Sequence, residues 1–210
     1  MAETVITKDR FTKGKTFKEY TASGVRNLDQ FNNNYTDLQL TGDQAKALKD
    51  LASKPNGPDH LVVIGEDWCP DVYRGAPVAA RIAEAMGIEM RFFERDQNKD
   101  MIAEYLKDGQ FESIPVLIFY DKNHKELYHM IERPKLANEQ IHLTRDVLGD
   151  TSPEGIAKSL GHEPSEEELA AARAEAREKY LAWQKNSEVW AGWRSATVDE
   201  VISALSTATN

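Results

Sequence analysis

The chain has 210 residues and a formal net charge of −9, and 40% of its residues are hydrophobic. This length allows one domain with a buried core, while the acidic balance argues against binding nucleic acid, because phosphate groups attract cationic surfaces. No apolar run approaches the roughly 20 residues that cross a bilayer, so no membrane association is expected.

Cysteine usage and the start of the chain bear on its location. Cys69 is the single cysteine of the sequence, so no internal disulfide can form. Residues 1–17 (MAETVITKDRFTKGKTF) contain neither the apolar segment nor the small-residue cleavage site of a secretory signal. Together these features favour a reducing, cytoplasmic setting.

The first forty residues are polar but contain spaced aromatic side chains, which predict an extended or short helical segment pinned onto the main body. These aromatics are Phe11, Phe17, Tyr20, Phe31 and Tyr35. The first clear helix follows, because Thr41 and Gln44 have the spacing of a capping box. It ends before residues 55–58 (PNGP), a dense turn signal.

From residue 41 to residue 131, helical and strand-like segments alternate. We predict helices after residue 41 and over 76–86 and 99–107, and strands over 60–65, 88–94, 114–120 and 126–131. This order implies parallel strands with helices on the sheet faces, and the last two strands form a hairpin that adds an antiparallel edge. The predicted fold class is therefore α/β, with a mixed central sheet flanked by helices.

Beyond residue 134 the pattern becomes helical. We predict helices over 136–148, over 166–186 and from Thr197 onward, the second of them beginning at a capping box formed by Ser165 and Glu168. Helix 166–186 carries an apolar stripe, which we expect to pack on the main domain, with a dimer interface as the alternative. The stripe consists of Leu169, Ala172, Ala176, Tyr180 and Trp183.

The sequence GEDWCPDVY (residues 65–73) places Cys69 where the 60–65 strand ends and a helix begins. Unpaired N–H groups and the helix dipole favour a thiolate there, so we expect a pKa below the ordinary thiol value of about 8.5. Pro70 suits the first helical turn, where a missing N–H costs nothing. Asp71 favours the helix end but opposes a thiolate, and the sequence leaves the balance of these two effects open.

Residues 68–71 (WCPD) are similar to the first part of the W-C-P-D-C and W-C-G-P-C active sites of the thioredoxin family. A second similarity is residues 113–116 (SIPV), which precede an apolar strand at the separation from Cys69 that the family shows. The resemblance covers residues 41–135 and implies a thioredoxin-like domain, with a cis Ile114–Pro115 bond facing Cys69 across a substrate groove. It leaves residues 1–40 as an N-terminal extension packed on the domain and residues 136–210 as a C-terminal helical extension of the same globule.

Three positions depart from the thioredoxin pattern. Val72 occupies the position of the resolving cysteine, and Val63 occupies that of a buried carboxylate. Residues 132–134 (ERP) stand where the family usually has Gly-Gly. Without a second cysteine, a mixed disulfide on Cys69 has no intramolecular route to release.

The resemblance implies monothiol thiol–disulfide exchange, with Cys69 as the nucleophile and glutathione or another low-molecular-weight thiol as the co-substrate that resolves the intermediate. Such a protein would be a disulfide oxidoreductase without a bound cofactor, acting on a protein disulfide or a mixed disulfide. Trp68 would shield the sulfur, and Tyr73 or Arg74 would bind the carboxylate of the thiol; alternatively, Tyr73 packs in the core and Arg74 is a solvated charge. The expected groove residues are Trp68, Pro70, Asp71, Val72, Tyr73, Arg74, Ile114 and Pro115.

A non-catalytic binding module is the competing hypothesis, in which the groove beside Pro115 holds a protein segment and Cys69 is an inert thiol or an oxidation sensor. The five histidines show no ligand spacing, so no metal site is expected. An iron–sulfur cluster shared across a dimer, as in monothiol glutaredoxins, is permitted by such a groove but required by no motif. The sequence leaves activity, substrate and the choice between monomer and homodimer open.

Overall fold

The computed structural model describes residues 4–210 and has the alternating helices and strands of an α/β protein. Its elements in chain order are α1 (Lys8–Phe11), α2 (Phe17–Ala22), α3 (Leu28–Asp37), α4 (Gly42–Ala52), β1 (Pro58–Gly65), α5 (Pro70–Met86), β2 (Glu89–Glu94), a 3-10 turn (Arg95–Gln97), α6 (Lys99–Ile102), β3 (Val116–Asp121), β4 (Glu126–Ile131), α7 (Lys135–Gln140), α8 (His142–Leu148), α9 (Pro153–Leu160), α10 (Glu166–Asn186) and α11 (Glu188–Ala208). In this described range, no helix combines the length and the apolar character that a membrane crossing requires.

The four strands form one mixed sheet in the order β2-β1-β3-β4. β1 pairs in parallel with β2, and β3 pairs antiparallel with β4 as the predicted hairpin. The residues of β1 from Leu61 to Ile64 have no exposed surface, as expected for a central strand that is covered on both faces. The mixed sheet flanked by helices that the sequence predicts is therefore confirmed.

The direction of β3 differs from the prediction. It runs antiparallel to β1, whereas the alternation of helices and strands predicts parallel pairing. The helix predicted over 99–107 is only the single turn α6. A four-residue helix rises only about 6 Å, compared with about 20 Å for a six-residue strand, so α6 does not form the crossover helix that a parallel β3 would follow. β3 therefore begins at the end of the sheet where β2 finishes.

The N-terminal segment forms α1, α2 and α3, whose aromatic side chains pack on the sheet and on α5. Tyr20 stacks on Phe92 of β2 with ring centroids 3.7 Å apart, and Phe31 meets Tyr73 of α5 edge-on at 6.4 Å. Phe11, Tyr20 and Phe31 are all buried. The burial of these rings explains why an otherwise polar segment carries them.

Two helical regions in the C-terminal part differ from their predicted bounds. The predicted helix 136–148 is divided into α7 and α8 at Ile141. α11 begins at Glu188, ahead of the predicted start at Thr197. The hydroxyl of Ser187 accepts hydrogen bonds from two amide groups of the first turn, which accounts for this earlier start.

The chain divides into two compact units. The described residues up to Pro134 form the first unit together with Trp193–Asn210, and Lys135–Gly192 form the second. Most of α11 thus belongs to the unit that contains the sheet. Within residues 193–210, the hydrophobic side chains without exposed surface are Trp193, Val198, Val201 and Leu205.

The second unit is helical and is organised around α10. This helix has the predicted bounds and begins with the predicted capping box of Ser165 and Glu168. Tyr180 and Trp183 of the apolar stripe stack at 6.0 Å, and Trp190 meets both rings edge-on. These two members of the stripe therefore pack on an aromatic partner within their own unit.

Candidate functional site

Cys69 lies at the junction between β1 and α5. The strand ends at Gly65, and Cys69 is the N-cap residue of α5, with Pro70 in the first helical turn. The carbonyl oxygen of Cys69 accepts hydrogen bonds from the amides of Val72 and Tyr73 at 3.0 and 3.1 Å. The thiol is thus attached to the N-terminus of a long helix, where the sequence places it.

The segment around Pro115 meets this thiol. The Ile114–Pro115 peptide bond is cis, and the Cys69 thiol donates to the carbonyl oxygen of Ile114 over 3.7 Å. α5 also approaches the segment closely, because a Cβ added to Gly75 would lie 2.9 Å from Cγ of Pro115. The two signatures that are far apart in the sequence are therefore in direct contact.

Burial determines the acidity of Cys69. It raises the pKa of the thiol above its ordinary value, and the negative charges of Asp71 and Glu132 act in the same direction. Hydrogen bonds from the amides of Val72 and Asp71 lower this pKa but do not outweigh burial. The expectation of a lowered thiol pKa is therefore wrong, because desolvation exceeds the effect of the helix terminus.

A network of charged side chains extends from Asp71. One carboxylate oxygen of Asp71 lies 2.8 Å from Nη2 of Arg74, and the other lies 2.7 Å from Nη2 of Arg133. Arg133 also pairs with Glu132, whose carboxylate binds the ammonium group of Lys107. Three cations and two carboxylates thus form a continuous cluster beside the thiol.

The three residues that follow Asp71 are almost fully buried. Val72, Tyr73 and Arg74 have exposures of 0, 2 and 1%. Tyr73 packs against Phe31, while the Arg74 guanidinium lies 5.3 Å from the centre of the Trp193 ring. The interpretation of Arg74 as a solvated surface charge is therefore wrong. With so little exposure, the side chains of Tyr73 and Arg74 are not accessible to the carboxylate of a small thiol.

The turn after β4 brings Glu132 and Arg133 to the site. Glu132 has a φ of 70°, in the left-handed region that glycine favours. Its amide donates to the carbonyl oxygen of Pro115 at 2.7 Å. The backbone therefore takes a conformation suited to the Gly-Gly of the thioredoxin pattern, while this chain places two charged side chains there.

Trp68 and Pro70, the chain neighbours of Cys69, both have accessible surface. Trp68 is 48% exposed, and the guanidinium of Arg95 lies 5.3 Å from its ring centre. Pro70 and Cys69 are half-buried, whereas Ile114 and Pro115 are buried. Among the predicted groove residues, Trp68 and Pro70 therefore have accessible side chains, and the carbonyl oxygen of Ile114 contacts the thiol.

Sequence reasoning did not identify Arg133, Lys107 and Arg95 as neighbours of the site. A signal for the first was available, since two charged residues replace Gly-Gly in the segment 132–134. Lys107 and Arg95 reach the site from the connection between β2 and β3, and no local pattern marks them. Their proximity depends on tertiary packing.

Two solved structures share this fold at low sequence identity. A protein of unknown function from Pseudomonas aeruginosa superposes with a TM-score of 0.62 and 16% identity, covering 99% of this chain and 99% of its own. An HIV epitope-scaffold superposes with a TM-score of 0.59 and 16% identity, covering 94% of this chain and 95% of its own. At such identities the similarity concerns the fold alone.

Comparison with known sequences gives the family. No curated protein matches the chain. The profile of a family described as Thioredoxin matches residues 14–146, a range that contains β1, the Cys69 junction, the Pro115 segment and the turn after β4. Because this match spans more than half of the chain, the protein belongs to the thioredoxin family.

Proposed function

We propose that this member of the thioredoxin family carries out thiol–disulfide exchange with Cys69 as its sulfur nucleophile and a small external thiol as the resolving group. The observation that carries the proposal is the 3.7 Å contact between Sγ of Cys69 and the carbonyl oxygen of Ile114, beside Pro115. A half-buried thiol at this place can meet a disulfide that a partner presents in an extended segment.

The exchange consists of two displacements at sulfur. In the first, the Cys69 thiolate attacks one sulfur of a mixed disulfide, forms a new S–S bond and releases the other sulfur as a thiolate. In the second, an external thiolate attacks the sulfur bound to Cys69, regenerates the Cys69 thiolate and becomes part of a disulfide. Each displacement breaks one S–S bond and forms one, so the external thiol is oxidised as the released thiol is reduced.

The external thiol is needed because Val72 supplies no sulfur. Glutathione or another low-molecular-weight thiol is the proposed co-substrate, and no bound cofactor takes part. A protein or peptide mixed disulfide is the proposed partner, entering beside the exposed ring of Trp68. A reducing, cytoplasmic setting would keep Cys69 as a thiol, and either a monomer or a homodimer can perform the reaction.

The acidity of Cys69 sets the expected rate. Because burial raises its pKa, only a small fraction of Cys69 is thiolate at neutral pH. The rate of attack on a disulfide should therefore rise about tenfold per pH unit below that pKa. Slow exchange that accelerates with pH is the kinetic signature we expect.

Intact-mass measurement with glutathione disulfide tests the proposal. The wild type should gain one glutathionyl group, faster at pH 8 than at pH 6, and should lose it when excess glutathione is added. Cys69→Ser is the matched control, since oxygen replaces sulfur in a side chain of nearly the same shape, and it should gain nothing. An unmodified wild type across this pH range would contradict the proposal.

A non-catalytic binding module is the second candidate, and the raised pKa of Cys69 is the observation that favours it. In this case the exposed Trp68 would contact a protein segment and the thiol would remain unreactive. Alkylation of Cys69 distinguishes the candidates. A rate that stays at or below that of free cysteine throughout the alkaline range, together with no glutathionyl adduct, would favour the binding module.

A further inference from the structure

Two carboxylates oppose the thiolate of Cys69, and one arginine contacts both. The charges of Asp71 and Glu132 each disfavour the thiolate. Nη2 of Arg133 lies 2.7 Å from Oδ2 of Asp71, and the same atom contacts Oε1 of Glu132. The side chains of Arg133, Asp71 and Glu132 are 13, 12 and 18% exposed, so water screens their charges only weakly.

The backbone holds Arg133 in the place where it makes these contacts. Val116 at the start of β3 is in register with Ile131 at the end of β4. The Glu132 amide donates to the carbonyl oxygen of Pro115 at 2.7 Å, and the Arg133 amide donates to that of Ile131 at 2.9 Å. The turn that supports the Pro115 segment therefore also directs a guanidinium toward Asp71.

We propose that Arg133 is a positioning residue that controls the reactivity of Cys69 by neutralising Asp71 and Glu132. The inference rests on the proposed function, because it concerns the nucleophile of the exchange. It also explains a departure from the thioredoxin pattern, since the Glu-Arg pair that replaces Gly-Gly brings in one opposing charge together with the cation that balances it.

Asp71 and Glu132 each have a second cationic partner besides Arg133. Arg74 stays on Asp71 and Lys107 stays on Glu132, so each carboxylate keeps one cation. Arg95 lies over Trp68, the residue that precedes the thiol. Replacing Arg133 therefore weakens the neutralisation of both carboxylates without abolishing it. We expect a moderate rise in the pH midpoint at which the Cys69 thiol becomes reactive.

The test is the pH midpoint for alkylation of Cys69 by iodoacetamide in the full chain. Arg133→Gln should raise this midpoint by about 0.5 to 1 pH unit, and Asp71→Asn should lower it by a similar amount. Arg133→Lys, which retains the charge, should restore most of the wild-type value. Arg81→Gln is the matched control. It removes a guanidinium from an ion pair with Glu84 in α5, the helix whose first turn contains Asp71.

An Arg133→Gln midpoint equal to those of the wild type and Arg81→Gln would overturn the proposal. If circular dichroism finds Arg133→Gln unfolded, Glu132→Gln is used instead. The pH midpoint for alkylation of Cys69 must then fall below that of the wild type, and an unchanged midpoint would also overturn the proposal. Alkylation needs no disulfide substrate. A shifted midpoint without disulfide exchange would thus contradict the proposed function alone, whereas exchange with an unshifted midpoint would contradict only the role of Arg133.

Discussion

At the scale of single residues, Cys69 and Val72 share one side of the first turn of α5, because positions three apart on a helix are neighbours. Val72 is fully buried, and a Cβ added to Gly65 would lie 2.8 Å from Cγ1 of Val72. The site is therefore closely packed around valine. Cysteine is smaller than valine and can occupy the same space at a cost of about 1 kcal/mol in stability.

Val72→Cys is expected to convert the protein into a dithiol reductase. The new thiolate can attack the mixed disulfide on Cys69 and release the substrate without an external thiol. We expect Val72→Cys to reduce the disulfides of insulin in the presence of dithiothreitol, at a rate well above that of the wild type. Val72→Ser is the control for polarity and size. Equal rates for folded Val72→Cys and Val72→Ser would contradict this expectation. They would show that the absence of a second thiol is not the only feature that prevents dithiol reduction at this site.

The residues of the candidate site differ in how far the sequence reveals them. Cys69 and Pro115 lie in local motifs whose separation in the chain resembles that of the thioredoxin family. The structure places the two motifs in contact. Arg133 and Lys107 become neighbours of the site only through the pairing of β3 with β4 and the path of the preceding connection. The direction of the Cys69 pKa shift is also hidden in the sequence, because burial depends on packing across the whole unit.

At the scale of elements, the site depends on how closely α5 approaches the Pro115 segment. Gly75 lies inside α5, where alanine would ordinarily stabilise a helix by up to about 1 kcal/mol. Here a Cβ would lie 2.9 Å from Cγ of Pro115, closer than ordinary van der Waals contact. Glycine therefore permits the contact between Pro115 and the helix that begins after Cys69.

Gly75→Ala should therefore reverse the usual effect of alanine in a helix. We expect the free energy of unfolding to fall by about 1 to 3 kcal/mol, because α5 and the Pro115 segment must separate. Urea denaturation measures the change. Gly42→Ala in the first turn of α4 is the control, since a Cβ there meets nothing within 4 Å and stability should hold or rise slightly. A Gly75→Ala protein as stable as the wild type would contradict this packing.

The elements themselves follow from local sequence more closely than their directions do. The capping boxes of Thr41 with Gln44 and of Ser165 with Glu168 mark the starts of α4 and α10 correctly. The single-turn length of α6 was not visible, because the apolar pattern of 99–107 continues beyond the turn that forms. The predicted parallel direction of β3 assumed a crossover helix over 99–107, whereas the structure has a single turn there and an antiparallel β3.

At the scale of the whole molecule, the unit that contains the site includes a segment from the far end of the chain. Trp193 in α11 is fully buried and lies 5.3 Å from the Arg74 guanidinium. The apolar residues from Thr197 onward predict a helix, but no local signal indicates that this helix joins the unit formed by the described residues up to Pro134. Such long-range packing depends on complementary surfaces that one sequence does not reveal.

The family and the fold are compatible with more than one activity, since unrelated functions are grafted on the same scaffold. What distinguishes this chain is the set of side chains around one sulfur: Val72 where a second sulfur would stand, and Glu132 with Arg133 where glycines would stand. We propose that this altered site still exchanges disulfides through Cys69.

The most direct measurement is turnover of a glutathionylated peptide in the presence of glutathione, with the released peptide thiol as the readout. The wild type should accelerate release in proportion to protein concentration, while Cys69→Ser should leave the uncatalysed rate unchanged. If the wild type and Cys69→Ser give the same rate with glutathione and with other small thiols, Cys69 is not an exchange nucleophile and the proposed function is contradicted.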